Sequence, residues 1–159
     1  MTDKIEKTAT LKAPVAKVWN AISDSAAFGT WFGMTIDGPF VEGRTVVGAI
    51  AKTAVDDEIA KQQAPYVGMR CELRIERIVP SRLFSFRWHP GADADTGPNA
   101  PMTLVTFQLE EVPGGTRLTI TESGFDAVPL ERRAKVFAEN EGGWDAQLTL
   151  IAKYLLREV

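Results

Sequence analysis

Two glutamates stand where the hydrophobic pattern of the sequence expects apolar side chains. Glu122 continues the alternation of Leu118 and Ile120, so its side chain should point the same way as those two core candidates. Glu141 interrupts the apolar stripe of the C-terminal segment. Two carboxylates that face one cavity could serve as a general acid and a general base.

Both glutamates also have a purely structural interpretation. Each could lie near the mouth of a cavity, where strand and helix ends reach solvent, or pair with Arg87 or Arg117. A glutamate that faces inward would instead anchor the polar group of a ligand. The sequence leaves these alternatives open.

Two further residues are candidates for chemistry. His89 is the only histidine and could act as a general base near neutral pH, although a histidine at a strand end more often bonds to a turn. The sequence contains no Gly-x-Ser-x-Gly motif to supply a nucleophile for it. Cys71 is in phase with Leu73 and Ile75, which predicts a buried and inert thiol.

Aromatic side chains are concentrated in a few elements and either fill a core or line a cavity. Gly142 and Gly143 favour a cavity, because two missing side chains leave space beside Trp144; a kink or a close backbone contact would explain them equally. Together with the two glutamates, the candidate cavity residues are Trp19, Trp31, Phe32, Phe84, Phe86, Trp88, Phe107, Phe137, Trp144 and Leu148.

Composition limits the class of protein. The chain has 159 residues, enough for one domain with a sizeable core, and its net charge of −3 argues against nucleic acid as a partner. One cysteine and one histidine predict neither a metal site nor a cofactor held by such ligands. No apolar run is long enough to span a membrane, and the N-terminus lacks a secretory leader, so we expect a cytoplasmic protein.

The sequence pattern predicts the secondary structure that positions these residues most clearly at the two ends of the chain. Residues 129–159 predict one long helix with an apolar face. The apolar residues, at steps of three and four, are Leu130, Ala134, Phe137, Trp144, Leu148, Ile151 and Leu155. Residues 4–12 predict a strand, and two short helices follow it, the second beginning at Asp24 or Ser25 and ending before Gly33. About six further strands with short turns precede the long helix, whereas residues 52–67 have no clear period.

This order predicts a single α+β domain over residues 1–159. Successive strands joined by short turns favour an antiparallel sheet, and the C-terminal helix is the element long enough to cover its apolar face. We therefore expect a curved antiparallel sheet wrapped around that helix.

Four segments, which together span nearly the whole chain, are similar to those of a known family. They are ATLKAPVAKVWNAISD, YVGMRCELRIERIVPSRLFSFRWHP, GGTRLTITESGFD and NEGGWDAQLTLIAKYL. They resemble the AHSA1-like (activator of Hsp90 ATPase homologue 1-like) branch of the START/Bet v 1-like SRPBCC superfamily. The resemblance implies a helix-grip fold, in which a seven-stranded antiparallel sheet grips the C-terminal helix and two short helices complete a deep, mostly apolar cavity. It also implies chaperone activation and stress response as functions to consider.

Three functions follow as hypotheses. The first is binding of a small hydrophobic or aromatic ligand between the long helix and the sheet. The second is an enzyme of cyclase/dehydratase or hydrolase type that uses Glu141, Glu122 or His89. The third is a module that interacts with an Hsp90-type chaperone. Exposed sheet edges would also permit a homodimer.

Overall fold

The computed structural model describes residues 4–91 and 100–157. Seven strands and four α-helices follow one another along the chain. In order they are β1 Lys4–Leu11, α1 Val15–Ser23, α2 Ser25–Phe32, β2 Met34–Ile36, β3 Thr45–Ile50, α3 Asp57–Gln63, β4 Arg70–Val79, β5 Leu83–Trp88, β6 Thr103–Val112, β7 Gly115–Ser123 and α4 Leu130–Arg157. Single 3₁₀ turns at Ala64–Tyr66 and Phe125–Ala127 precede β4 and α4.

The seven strands form one sheet in the order β1-β7-β6-β5-β4-β3-β2, and every neighbouring pair is antiparallel. The chain thus meanders from β2 to β7, and β1 closes the far side against β7. The predicted helix-grip fold, with two short helices after the first strand, is confirmed. The segment 90–101 is dense in Gly, Pro, Asp and Asn, which predicts a loop, and it lies mostly outside the described residues. The extent of the domain over 1–159 stays a prediction.

Local signals explain where the second short helix, α2, begins and ends. The Asp24 side chain accepts a hydrogen bond from the backbone N–H of Ala27, 3.0 Å away, and so caps α2. Gly33 ends α2 in the left-handed conformation, with a φ of 91°, which glycine adopts without steric strain. These are the two boundary residues that the sequence predicted.

The long helix α4 has 28 residues and spans about 42 Å. Its buried face carries Val136, Trp144, Leu150, Ile151 and Leu155. Leu130 was predicted to belong to this face, but it is 72% exposed, and Ala134 is exposed as well. In the first half of α4, Val136 is the buried residue, and Phe137 of the predicted stripe packs partly buried beside it.

An aromatic cluster fills the space between the concave face of the sheet and helices α2 and α4. Neighbouring ring centroids lie 4.7 to 6.4 Å apart, mostly with edge-to-face or tilted geometry. The cluster consists of Phe28, Trp31, Phe32, Phe40, Phe84, Phe86, Trp88, Phe107 and Trp144. Most of the predicted aromatic set is thus packed core, and any cavity must lie beside this cluster.

Candidate functional site

Glu122 lies in the middle of a row of buried apolar residues that crosses the sheet. The register places it opposite Ile5 on β1 and Val105 on β6, and the row continues to Phe86 on β5 and Ile75 on β4. Its exposure is 0%, and that of the four apolar residues in the row is 2% or less. The Glu122 side chain therefore points inward, as the alternation along β7 predicts.

Four side chains donate hydrogen bonds to the Glu122 carboxylate. Oε1 accepts from Trp144 Nε1 at 2.8 Å, and Oε2 accepts from Trp88 Nε1 at 2.9 Å and Thr103 Oγ1 at 2.5 Å. Asn140 Nδ2 lies 3.0 Å from both oxygens. The four donors are neutral groups on β5, β6 and α4, so this cluster joins the sheet to the long helix through charge-assisted hydrogen bonds.

The arginines that the sequence offered as partners for Glu122 pair elsewhere. Arg87 Nε lies 3.1 Å from Glu76, and Arg117 pairs with Glu110. The partners of Glu122 are instead the indole, hydroxyl and amide groups described above. Two of these residues, Thr103 and Asn140, were not among the candidates from the sequence.

Glu141 does not share the position of Glu122. Its side chain is half exposed, 3.9 Å from Lys7 Nζ, and it lies outside the cavity described below. The predicted stripe called for an apolar residue at Glu141, but Asn140 fits the steps of three and four between Phe137 and Trp144 equally well. In the structure it is Asn140 that α4 turns toward Glu122. The predicted pair of carboxylates in one cavity is therefore not formed.

A cavity of about 680 Å³ lies between α4, α3 and the β3–β5 part of the sheet. One of its walls is a pair of tryptophans, Trp88 and Trp144, whose rings are stacked 5.6 Å apart at 28°. The other lining residues are Phe32, Gly33, Ile50, Ile59, Gln62, Gln63, Tyr66, Met69, Arg70, Cys71, Glu72, His89, Gly91, Glu139, Asn140, Gly143, Ala146 and Gln147. Glu122 lies behind this wall, since it bonds to the nitrogen atoms of both indoles.

The structure brings only part of the predicted cavity set to this cavity. Phe32, Trp88 and Trp144 line it, and so does Gly143 of the glycine pair. Phe137 contacts Phe125 instead, with ring centroids 5.0 Å apart. The remaining predicted side chains are packed in or against the core: Trp19, Trp31, Phe84, Phe86, Phe107 and Leu148.

One part of the cavity wall was missed because it comes from residues 52–67, where the sequence has no clear period. Helix α3 has no buried residue, and for that reason no apolar stripe marks it. It contributes Ile59, Gln62 and Gln63, and the following turn contributes Tyr66, which is 44% exposed at the cavity mouth.

Polar contacts hold α3 against the rest of the molecule. Gln63 accepts from the Thr53 N–H at 2.6 Å and donates to the Phe32 carbonyl at 3.1 Å. Asp56 caps α3 at the Ile59 N–H, 2.9 Å away, and pairs with Lys153 of α4 at 2.5 Å. The Lys153 contact, followed by the Ile59 hydrogen bond, lowers the pKa of Asp56 below its ordinary 3.8.

Cys71 and His89, the two residues of the cavity wall named above as candidates for chemistry, are both in environments that limit their reactivity. Burial, with a smaller contribution from the Glu72 charge, raises the pKa of the Cys71 thiol to about 11, which agrees with an inert thiol. His89 Nδ1 donates to the Pro101 carbonyl at 3.1 Å, since a carbonyl can only accept. His89 therefore bonds to the neighbouring loop, as a histidine at a strand end commonly does.

Within the described ranges 4–91 and 100–157, no three His, Cys, Asp or Glu side chains are grouped so that they could hold a metal ion. None of the helices in those ranges combines the length and the apolar character needed to cross a membrane. A second hollow, of about 640 Å³, lies at the β6–β7 turn and the start of α1, and it has no aromatic side chain in its wall.

Comparison with known proteins places this geometry in a family. The profile of the family described as "Activator of Hsp90 ATPase homolog 1-like protein" matches residues 12–156. The comparison with curated proteins finds no significant match.

Solved structures with the same fold share little sequence with this chain. A protein from Mesorhizobium loti has a TM-score of 0.71 at 22% identity, with 97% of each chain covered. A protein from Arthrobacter aurescens has a TM-score of 0.73 at 18% identity, covering 98% of this chain and 87% of its own. The Aha1 dimer from Colwellia psychrerythraea has a TM-score of 0.68 at 17% identity, covering 98% of this chain and 96% of its own. At these identities the likeness concerns the fold alone.

Proposed function

Because the chain belongs to the activator of Hsp90 ATPase homologue 1-like family, whose fold forms a cavity against the C-terminal helix, we propose that it binds a small hydrophobic or aromatic ligand there. The observation that carries this proposal is the 680 Å³ cavity with the stacked Trp88–Trp144 pair in its wall. Ligand sites are typically concave, mostly apolar and of about 300–1,000 Å³.

Two residues of α4 allow a matched test. A Cβ atom added at Gly143 or at Gly142 would meet no other atom within 4 Å, so either glycine accepts a side chain without a backbone clash. Gly143 lines the cavity and Gly142 does not. Gly143→Phe should therefore fill the cavity, whereas Gly142→Phe should place the same ring outside it.

The measurement is the fluorescence of N-phenyl-1-naphthylamine, a neutral aromatic probe, titrated with each protein and displaced by unlabelled aromatic compounds. We expect wild type and Gly142→Phe to bind the probe alike and Gly143→Phe to bind it at least tenfold more weakly, since each 1.4 kcal/mol of lost contact is about tenfold in affinity. Equal binding by all three proteins, or binding by none, would sink the proposal.

A second candidate function is stimulation of an Hsp90-type ATPase. It is supported by the description of the family and by the likeness of fold to the Aha1 dimer. The test adds the protein to a purified bacterial Hsp90 and follows ATP hydrolysis; an unchanged rate over a tenfold range of added protein would count against it. Light scattering on the same samples would test for a homodimer.

The enzyme hypothesis loses its main support in the structure. Neither Glu122 nor Glu141 lies in the cavity wall. Of the reactive groups that do, Nδ1 of His89 is bonded to the Pro101 carbonyl, and the raised pKa keeps the Cys71 thiol protonated. We therefore do not propose a reaction. The cytoplasmic location remains an expectation from the sequence.

A further inference from the structure

Gln147 presents an unpaired acceptor at the cavity. Its Nε2 donates to the Phe32 carbonyl at 3.2 Å, and the Gln63 amide donates to the same carbonyl at 3.1 Å. The opposite orientation of the Gln147 amide would place two oxygen atoms against each other, so these contacts fix Oε1 as the free end. Among the side chains that the structure describes, this buried Oε1 has no hydrogen-bond partner.

A buried acceptor without a partner is unfavourable, and native proteins nearly always supply a donor. Gln147 lies in the cavity wall, one helical turn after Gly143, where α4 has no side chain. Protein atoms cover Oε1 almost completely. A molecule in the cavity would therefore bring a donor to Oε1 through a small movement of the Gln147 side chain, which lines the cavity.

The rest of the wall indicates the shape of that molecule. Trp88 and Trp144 present stacked indoles, and the Phe32 ring lies 6.1 Å from each of them at 65°. Such walls favour a flat ring, which can stack on one aromatic face and meet another edge-on.

Its charge follows from the ionisable groups of the wall. Arg70 is the lining residue with a fixed positive charge, and it pairs with Glu72 at 2.7 Å. Glu139 adds a further carboxylate to the wall. The charge of Arg70 is compensated by Glu72, and Glu139 leaves the wall with a net negative charge. This charge repels an anionic ligand and accepts a neutral or a cationic one.

We propose that the ligand is a planar aromatic molecule without negative charge that carries an N–H or O–H group, and that this group donates to Oε1 of Gln147. This inference depends on the proposed function, since it concerns the same cavity. It names the ligand class that the cavity selects.

The test compares two pairs of probes that differ only in the donor: indole with 1-methylindole, and 2-naphthol with 2-methoxynaphthalene. Calorimetric titration of wild type should give about tenfold tighter binding for the donor member of each pair, as expected for one hydrogen bond to a buried acceptor. In Gln147→Met, which keeps the length of the side chain but removes the amide, the ratio should fall to about one.

Gln108→Met is the matched control, because Gln108 is exposed on β6 and outside the cavity; it should keep the wild-type ratio. Equal binding of both members of each pair in wild type would overturn the inference and leave the proposed function standing. So would a ratio that persists in Gln147→Met, or binding of naphthalene, which carries no donor, without binding of either donor probe. No binding by any aromatic compound would overturn both.

Discussion

At the scale of single residues, Glu122 is the polar centre of the core. Its two oxygens accept from Trp88, Thr103, Asn140 and Trp144, so one side chain fixes the rotamers of two tryptophans and joins three elements. The position of the cavity wall therefore depends on a residue that does not line the cavity.

We predict that Glu122→Gln destabilises the protein by about 2 kcal/mol, because one acceptor oxygen becomes an NH₂ group that faces donors. Urea unfolding would measure this loss. Glu110→Gln, which removes one partner of a surface ion pair with Arg117, should cost well under 1 kcal/mol. Equal and small effects of the two substitutions would contradict the role given to Glu122.

The thiol of Cys71 gives a second prediction at this scale. Because its pKa is raised to about 11, little thiolate is present near neutral pH. We expect iodoacetamide to label Cys71 far more slowly at pH 8 in the native protein than in urea, with the native rate still rising between pH 9 and pH 11. Mass spectrometry of timed samples would measure both rates. A native rate that levels off below pH 9 would contradict this prediction.

At the scale of elements, α3 is the part of the cavity wall that is least anchored in the core, since only Ile59 packs partly against it. It buries no side chain and is fastened by the Asp56–Lys153 pair and by Gln63. Elements with few buried apolar contacts are the least stable parts of a protein. Access to the cavity is therefore controlled by polar contacts.

The pH dependence of α3 follows from Asp56. Its folded-state pKa is lowered, so the stabilisation that it gives is complete above 3.8 and is lost as the pH falls below that value through the folded pKa. The Ile59 amide resonance, followed by NMR from pH 6 to pH 2, should titrate with a midpoint below 3.8. Lys153→Met should move the midpoint up, because the largest cause of the lowered pKa is removed. The same midpoint in both proteins would contradict this account.

The elements also explain what the sequence could and could not predict. Strand alternation is strict on β7, so the inward direction of Glu122 was predictable. On α4 both Asn140 and Glu141 lie three or four residues from Phe137 and Trp144, so the spacing admits either residue and only tertiary packing decides between them. Helix α3 gave no pattern, since a helix without a buried face has no hydrophobic period.

At the scale of the whole molecule, one aromatic core connects the sheet with both helical layers. Phe107 on β6 contacts Phe28 of α2, Phe84 and Phe86 of β5, and Trp144 of α4. A core of this kind predicts a single cooperative unfolding transition for the domain.

We predict that Phe107→Ala reduces the free energy of unfolding by about 3–5 kcal/mol and lowers the melting temperature of sheet and helix together. The reason is that the void left by the ring would be shared by all these elements. Far-ultraviolet circular dichroism and tryptophan fluorescence should report the same midpoint. Leu130→Ala is the control with little expected effect, since Leu130 is 72% exposed. Two separate midpoints in Phe107→Ala would show that sheet and helix do not unfold as one unit.

The stacked tryptophans have an optical consequence. Two indoles held 5.6 Å apart at 28° by one carboxylate form a coupled pair of chromophores, whose transition dipoles mix into bands of opposite rotational sign. A molecule that enters between α3 and α4 and tilts either ring would change that exciton couplet while the helix and sheet bands stay constant. The near- and far-ultraviolet circular dichroism of the two tryptophans would thus report directly on what occupies the cavity.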